Sequence, residues 1–172
     1  QLRKDGQELE SVLFTRQSML DGRLATIASV FDVTERRKVE ARIAHMARHD
    51  ELTGLANRAH CRERLRDLLT GVRQNGRSVT VALIDLDHFK PINDTFGHLV
   101  GDALLAEAAR RMSSLVPDDG LLCRIGGDEF AVIFEKQSRT TVDYVAKAII
   151  TAMKEAFSVS GCSLHIGATI GM

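Results

Sequence analysis

Arg124-Ile125-Gly126-Gly127-Asp128-Glu129-Phe130 lies between two apolar runs, Leu121-Leu122-Cys123 and Phe130-Ala131-Val132-Ile133-Phe134. Each run is short and rich in strand formers, so the two read as paired antiparallel strands. Gly126-Gly127-Asp128-Glu129 forms the turn between them. Paired glycines tolerate the positive φ of a tight hairpin and leave the backbone open to close approach by another molecule. Asp128 and Glu129 follow at once, where a phosphate-bound cation can be held. Taken alone, the tetrapeptide reads equally well as a polar hairpin tip with solvated acids.

A second stretch shifts that balance. Val79-Thr80-Val81-Ala82-Leu83-Ile84 reads as a buried strand running straight into Asp85-Leu86-Asp87-His88-Phe89-Lys90. Acids at the end of a buried strand present ligands from a rigid element. Asp85 and Asp87 share a face only while the strand continues; if it stops near Leu86, one carboxylate enters the site and the other turns away. Lys90 is a compact cation able to balance triphosphate charge, though its spacing also fits a surface lysine. Asn93 offers both a donor and an acceptor. Asp102 near the start of a helix at 102–115 also reads as an acid at a helix N-terminus.

These stretches, with Asn93-Asp94-Thr95-Phe96-Gly97-His98 and Gly101-Asp102 between them, resemble the GGDEF family of bacterial diguanylate cyclases over about residues 44 to 172. Asp50-Glu51-Leu52-Thr53-Gly54-Leu55-Ala56-Asn57-Arg58 matches that family's opening motif, and its residues read as structural. The resemblance implies an α/β fold like the palm of nucleotidyl cyclases and polymerases, with an antiparallel central sheet flanked by helices. It implies condensation of two GTP into cyclic di-GMP and two pyrophosphates. By resemblance, Asp85, the Leu86 carbonyl and Asp128 bind Mg²⁺, two ions per GTP, with Mn²⁺ as an alternative. Asp128 also takes up the proton of the attacking hydroxyl, and Lys90 stabilises the transition state. Glu129 serves either metal contact or hairpin support. Gly126, Gly127 and His98 contact the substrate, and Asn93 and Asp102 read the guanine. One domain holds one GTP, so catalysis implies a homodimer.

The sequence departs from many relatives at a product-inhibition site, where Pro117 and Gly120 stand in place of a charged Arg-x-x-Asp, so no feedback inhibition through that site is expected. The Phe89-Lys90-Pro91-Ile92-Asn93-Asp94 wording resembles domains followed by an EAL phosphodiesterase domain. The rival expectation is therefore a non-catalytic GTP-binding module regulating an attached EAL domain. The metal carboxylates and Lys90 are all present, which favours the cyclase. Another nucleotidyl cyclase is disfavoured by Asn93 and Asp102.

Bulk properties exclude other classes. Lys+Arg and Asp+Glu both total 23 in 172 residues, for a formal net charge of zero. That balance gives no general grip on nucleic acid or an anionic membrane. No apolar run approaches the roughly twenty residues of a membrane span, and the polar N-terminus is not a signal peptide. Cys61, Cys123 and Cys162 are odd in number and far apart, which suits reduced, buried thiols in a cytoplasmic bacterial protein.

Residues 1–34 read as strands, with turn signals at Asp5-Gly6 and Asp21-Gly22 and strands over Leu9–Met19 and Leu24–Phe31. Two or three such strands bury no self-sufficient core. The pattern resembles the last strands of a PAS sensor domain. Residues 35–48 read as a linker helix, with Asp32 capping and Glu35 reaching back in a capping box. Val39, Ile43 and Met46 trace a short coiled-coil seam. Residues 49–172 read as the cyclase domain, short of a final helix and strand. Its helices run over 58–74, with Leu65, Leu68, Leu69 and Val72 inward and Asn75-Gly76 closing it, and over 139–157, with Val142, Val145, Ala146, Ile149 and Met153 inward. Ser163–Ile170 reads as one strand.

Overall fold

β-branched and aromatic residues set two ten-residue strands, β1 (Ser11–Leu20) and β2 (Arg23–Asp32), which pair antiparallel from Ser11↔Asp32 to Leu20↔Arg23. The computed structural model describes residues 9–20, 23–75 and 78–172. The expected turns at Asp5-Gly6 and Asp21-Gly22, and Gly76 of the expected helix stop, lie outside the described residues. Phe14 and Phe31 meet edge to face at 5.9 Å, yet Leu13, Phe14, Ile27, Val30 and Phe31 all stay more than half exposed. A two-stranded ribbon has no second layer to bury them against. Helix α1 (Thr34–Arg48) follows, its first turn held by Thr34 N–H donating to Asp32 Oδ1 at 2.9 Å. Glu35 does not reach back: it pairs forward with Lys38 at 3.1 Å. Val39, Ile43 and Met46 are exposed, and α1 buries no residue.

The chain divides into two compact units, with the boundary between His45 and Met46 inside α1. In the second unit, helix α2 (Arg58–Asn75) is capped by Asn57, whose Oδ1 accepts from His60 N–H at 2.9 Å. Strand β3 (Val79–Asp87) leads to the short helix α3 (Phe89–Phe96) and the longer α4 (His98–Ser113). A tight turn, Gly120 N–H to the Pro117 carbonyl at 2.8 Å, opens β4 (Gly120–Gly126). β5 (Glu129–Glu135) returns, and α5 (Arg139–Lys154) starts at Ser138, which accepts from Thr141 N–H. A small hairpin, β6 (Phe157–Val159) and β7 (Cys162–Leu164), precedes β8 (Gly167–Gly171). The single strand expected over Ser163–Ile170 is therefore two, and the expected helix end moves from 157 back to 154. Ser160 and Gly161, both at positive φ, make the extra turn.

The main sheet runs β4-β5-β3-β8, every neighbour antiparallel. Phe130 to Phe134 of β5 are all buried because both faces of that strand are covered. On one face, Ile84, Leu86, Phe130, Val132 and Phe134 pack with Leu104, Ala108 and Met112 of α4 and Val142, Ile149 and Met153 of α5. Burying each large apolar side chain there is worth about 1.5–3 kcal/mol. On the other face, α2 sets Cys61 and Leu68 against Cys123, Ala131 and Ile133. The inward stripe of α2 is thus Cys61, Leu65 and Leu68, with Val72 half-buried beyond it, and Leu69 stands 49% exposed outside it. The five inward residues expected on α5 are all buried.

Candidate active site

The signature hairpin is tighter than its four-residue turn predicts. Gly126 pairs with Glu129, leaving only Gly127 and Asp128 in the loop, and a bulge at Ile125 adjusts the register below it. Gly127 has φ 53 and Asp128 does not turn positive, the sign pattern of a II′ hairpin. A side chain at Gly127 would strain the turn. Asp128 is half-buried, and its carbonyl accepts from Leu86 N–H at 3.2 Å, so the loop is tied to the end of β3.

β3 sorts its residues by alternation. Ala82, Ile84 and Leu86 are buried, whereas Leu83 and Asp85 are exposed on the opposite face. Asp85 pairs with Glu129 of β5 on one side and Thr169 of β8 on the other, so the two carboxylates and the hydroxyl form one rung across three strands. The strand continues through Asp87, so Asp85 and Asp87 share a face. Their surroundings separate them: Thr169 Oγ1 donates to Asp87 Oδ1 at 2.7 Å, while the carboxylates of Asp85, Asp128 and Glu129 accept no hydrogen bond from a described residue. On this face α2 packs mainly over β4, and Leu83 and Asp85 of β3 stay exposed. A cleft of about 360 Å³ opens there, lined by Leu83, Asp85, Ile125, Glu129 and Thr169.

His88, at φ 61, makes the corner from β3 into α3. Lys90 lies exposed in the first turn after it. Gly97, at φ 83, breaks α3 from α4, and α4 begins at His98 rather than 102. Asp102 is therefore a full turn inside α4, and its reading as an acid at the helix N-terminus is corrected; it stands exposed, as does His98. Asn93 on α3 packs against α4 at Gly101. A Cβ on Gly101 would overlap Asn93 Oδ1, so the absence of a side chain there lets Asn93 pack onto α4 one residue before Asp102. Asn93 Oδ1 is buried and without a hydrogen-bond partner, an unmet acceptor of the kind that collects at functional sites.

One supporting contact is invisible in the motifs taken singly. Arg124 donates from Nε and Nη2 to the Gly127 carbonyl at 3.0 and 2.9 Å and from Nη1 to Asp50 Oδ1 at 3.0 Å. Asp50 Oδ1 also accepts from Thr53 N–H and Oγ1–H at 2.9 and 2.7 Å. Burial pushes the Asp50 carboxyl up, but hydrogen bonds from Thr53 and Arg124 outweigh it and hold the group below the usual carboxylate range. Arg124 N–H also donates to the Ala56 carbonyl at 2.9 Å. The opening motif is thus the bracket of the signature hairpin. The pairing of a lone Asp in one motif with a lone Arg in the other was the signal available in the sequence.

The donor set fits a hard divalent cation carried in by phosphate. Mg²⁺ is usually bound by one or two carboxylates plus substrate phosphates and waters, not by an all-protein cage. Asp85 and Glu129 on one rung, with Asp128 one residue away, supply such carboxylates. Among the described residues no group of three or more His, Cys, Asp or Glu forms a closed metal cage.

A family model described as "Diguanylate cyclase, GGDEF domain" matches residues 47–172. The probable diguanylate cyclase DgcE of Escherichia coli is 38% identical over 160 residues, which cover 92% of this chain and 14% of that protein. The bifunctional diguanylate cyclase/cyclic di-GMP phosphodiesterase MucR of Pseudomonas aeruginosa is 32% identical, with 90% of this chain and 22% of that protein covered. The coiled coil and GGDEF domain of DgcB from Caulobacter crescentus, solved with c-di-GMP, superposes with a TM-score of 0.75 at 26% identity, covering 81% of this chain and 75% of that one. The chain spans 14% to 21% of the length of the first curated relatives it matches.

Proposed function

The chain belongs to the GGDEF diguanylate cyclase domain family, and from that premise we propose that it condenses two GTP into cyclic di-GMP with release of two pyrophosphates. The observation that carries this reading is the rung of Asp85 and Glu129, unpartnered carboxylates at the mouth of a cleft beside the Gly127 turn. Asp85, Asp128 and the Leu86 carbonyl would hold Mg²⁺, with Mn²⁺ as an alternative ion. The position of Glu129 opposite Asp85 supports a metal contact for it rather than hairpin support. When bound, the metal polarises the α-phosphate and neutralises the leaving pyrophosphate.

The chain's own groups do the rest. Gly126 and Gly127 leave the loop backbone open to the phosphates. Lys90 balances charge that develops on the triphosphate. Asp128 accepts the proton of the attacking 3′-hydroxyl. Asn93 and Asp102 read the guanine edge, and His98 contacts the same nucleotide. Each domain holds one GTP, so two copies face each other in catalysis. The exposed Val39-Ile43-Met46 seam of α1 supports that pairing. The β1–β2 ribbon reads as the closing strands of a PAS-like sensor, its exposed apolar residues supporting a partner layer.

A second reading keeps GTP binding without turnover, as a regulator of an EAL phosphodiesterase domain following in the full-length protein. A relative named as a cyclic di-GMP phosphodiesterase alone supports it. One experiment separates the two. The full-length protein is incubated with GTP and Mg²⁺ beside an Asp128→Ala variant, and nucleotides are resolved by chromatography. The cyclase reading expects cyclic di-GMP that disappears in the variant. GTP bound but left intact at dimer-forming concentrations overturns it and selects the regulatory reading.

A further inference from the structure

Two thiols lie under α2, on the face of the sheet away from the large core, and the chemistry above leaves them unused. Cys61 of α2 and Cys123 of β4 are 6% and 0% exposed, in a pocket of small apolar residues. Both are free, and they share one buried cluster with Ala56, Leu68, Ala131 and Ile133; Cys123 Sγ–H donates to the Leu121 carbonyl at 3.8 Å. The backbone holds them in place: Cys123 bridges to Ala56, and Cys61 N–H donates to the Asn57 carbonyl at 2.9 Å. The third cysteine, Cys162, is elsewhere, half-buried in β7.

We propose that Cys61 and Cys123 form a buried dithiol that a hydroperoxide oxidises to an intramolecular disulfide joining α2 to β4. The environment divides the roles. The neighbouring Cys123 thiol pulls the Cys61 thiol down to about 7, against the burial that opposes it. The neighbouring Cys61 sulfur and burial push Cys123 up. Cys61 is therefore the thiolate that attacks, and Cys123 keeps its proton and resolves. Cys61 sulfur attacks the terminal peroxide oxygen; an S–O bond forms, the O–O bond breaks, and the alkoxide leaves as alcohol with a proton. Cys123 sulfur then attacks the sulfenic sulfur; the S–S bond forms, the S–O bond breaks, and water leaves with the second proton. Two thiols supply two electrons, and the hydroperoxide is reduced to alcohol and water. A small neutral oxidant suits a sulfur this enclosed; a bulky disulfide does not reach it. The new bond would anchor β4 one residue before Arg124, the residue that holds the signature turn.

The test needs no nucleotide. The chain and its Cys162→Ser variant are treated with hydrogen peroxide, quenched, unfolded and assayed for thiols and intact mass. The expected result is loss of two thiols in each protein and a mass lower by about two hydrogens, without chain dimers. A peptide map then joins Cys61 to Cys123, and dithiothreitol restores both thiols. Oxygen added at a single sulfur, disulfide-linked dimers, a map joining Cys162 to either residue, or thiols that persist at peroxide levels oxidising free cysteine would each overturn the proposal.

Discussion

Arg124 reaches Asp50 at 3.0 Å across 74 residues of chain while its other nitrogens hold the Gly127 carbonyl. One guanidinium thus ties the opening motif to the signature turn. Hydrogen bonds to charged groups contribute about 1.5–3 kcal/mol, and a lysine cannot span both partners. Arg124→Lys is expected to lower stability by about 2 kcal/mol, read as a shifted urea midpoint. Cyclic di-GMP formation should fall further than GTP binding, because the turn is loosened rather than removed. Equal loss of both would argue against a positioning role.

The same contact carries a pH dependence. The Asp50 carboxyl is held below its ordinary range in the folded chain, burial opposing and the Thr53 and Arg124 hydrogen bonds prevailing. A depressed carboxylate contributes stability that is complete above the unfolded value near about 3.9 and is lost as pH falls through the folded value. Denaturation midpoints taken from neutral pH down into that acidic window should fall less steeply in Asp50→Asn than in the unmodified chain. Parallel slopes would remove Asp50 from the account of acid sensitivity.

Asp85 and Glu129 are exposed and unpartnered, so Asp85→Asn and Glu129→Gln should leave the melting temperature almost unchanged. Cyclic di-GMP synthesis should drop by about 100-fold or more for Asp85→Asn, the scale of removing a group aimed at developing charge. Glu129→Gln decides its own role. Loss of Mg²⁺-dependent GTP binding assigns it to the cation, whereas retained binding assigns it to the hairpin.

Gly101 is the packing surface for Asn93. Gly101→Ala must displace that side chain, and overpacking of this kind costs about 1–3 kcal/mol. The expected kinetic signature is a raised KM for GTP with reduced discrimination against ATP. An unchanged KM would separate Asn93 from the nucleotide.

Arg111 closes the far end of α5. Nη1 donates to the carbonyls of Ala152 and Glu155 at 2.7 and 3.0 Å, Nη2 to Ala156 at 3.1 Å, and the guanidinium lies 3.6 Å from the Phe157 ring. Arg111→Met keeps the stem and loses these contacts. It should cost about 2 kcal/mol in chemical denaturation while sparing turnover, since none of these groups touches the site.

What was readable in the sequence was local. Val142, Val145, Ala146, Ile149 and Met153 follow helical spacing over about three turns, so their burial could be read directly. Phe130 to Phe134 form an unbroken apolar run and proved buried on both faces. Where a single dihedral decides the matter, the pattern is silent. Gly97 lets α4 start at His98, four residues before Asp102, and Ser160, outside the strand expected over Ser163–Ile170, turns β6 back on β7. Cys61 displaced Leu69 from the inward stripe because the position of Cys123 on the sheet, not periodicity alone, sets which side of α2 faces it. The Asp50–Arg124 bracket joins residues whose separation no local pattern bridges.

The alternation of β3 also bears on how this strand can change over evolutionary time. Its even positions fill the core and its odd positions carry Leu83 and Asp85 outward. Substitutions edit one position and leave the others where they are. Deleting or inserting a single residue between Val79 and Ile84 would rotate everything after it to the opposite face, driving Asp85 inward and Leu86 out. Chemistry at this site is therefore open to point replacement and closed to changes of length.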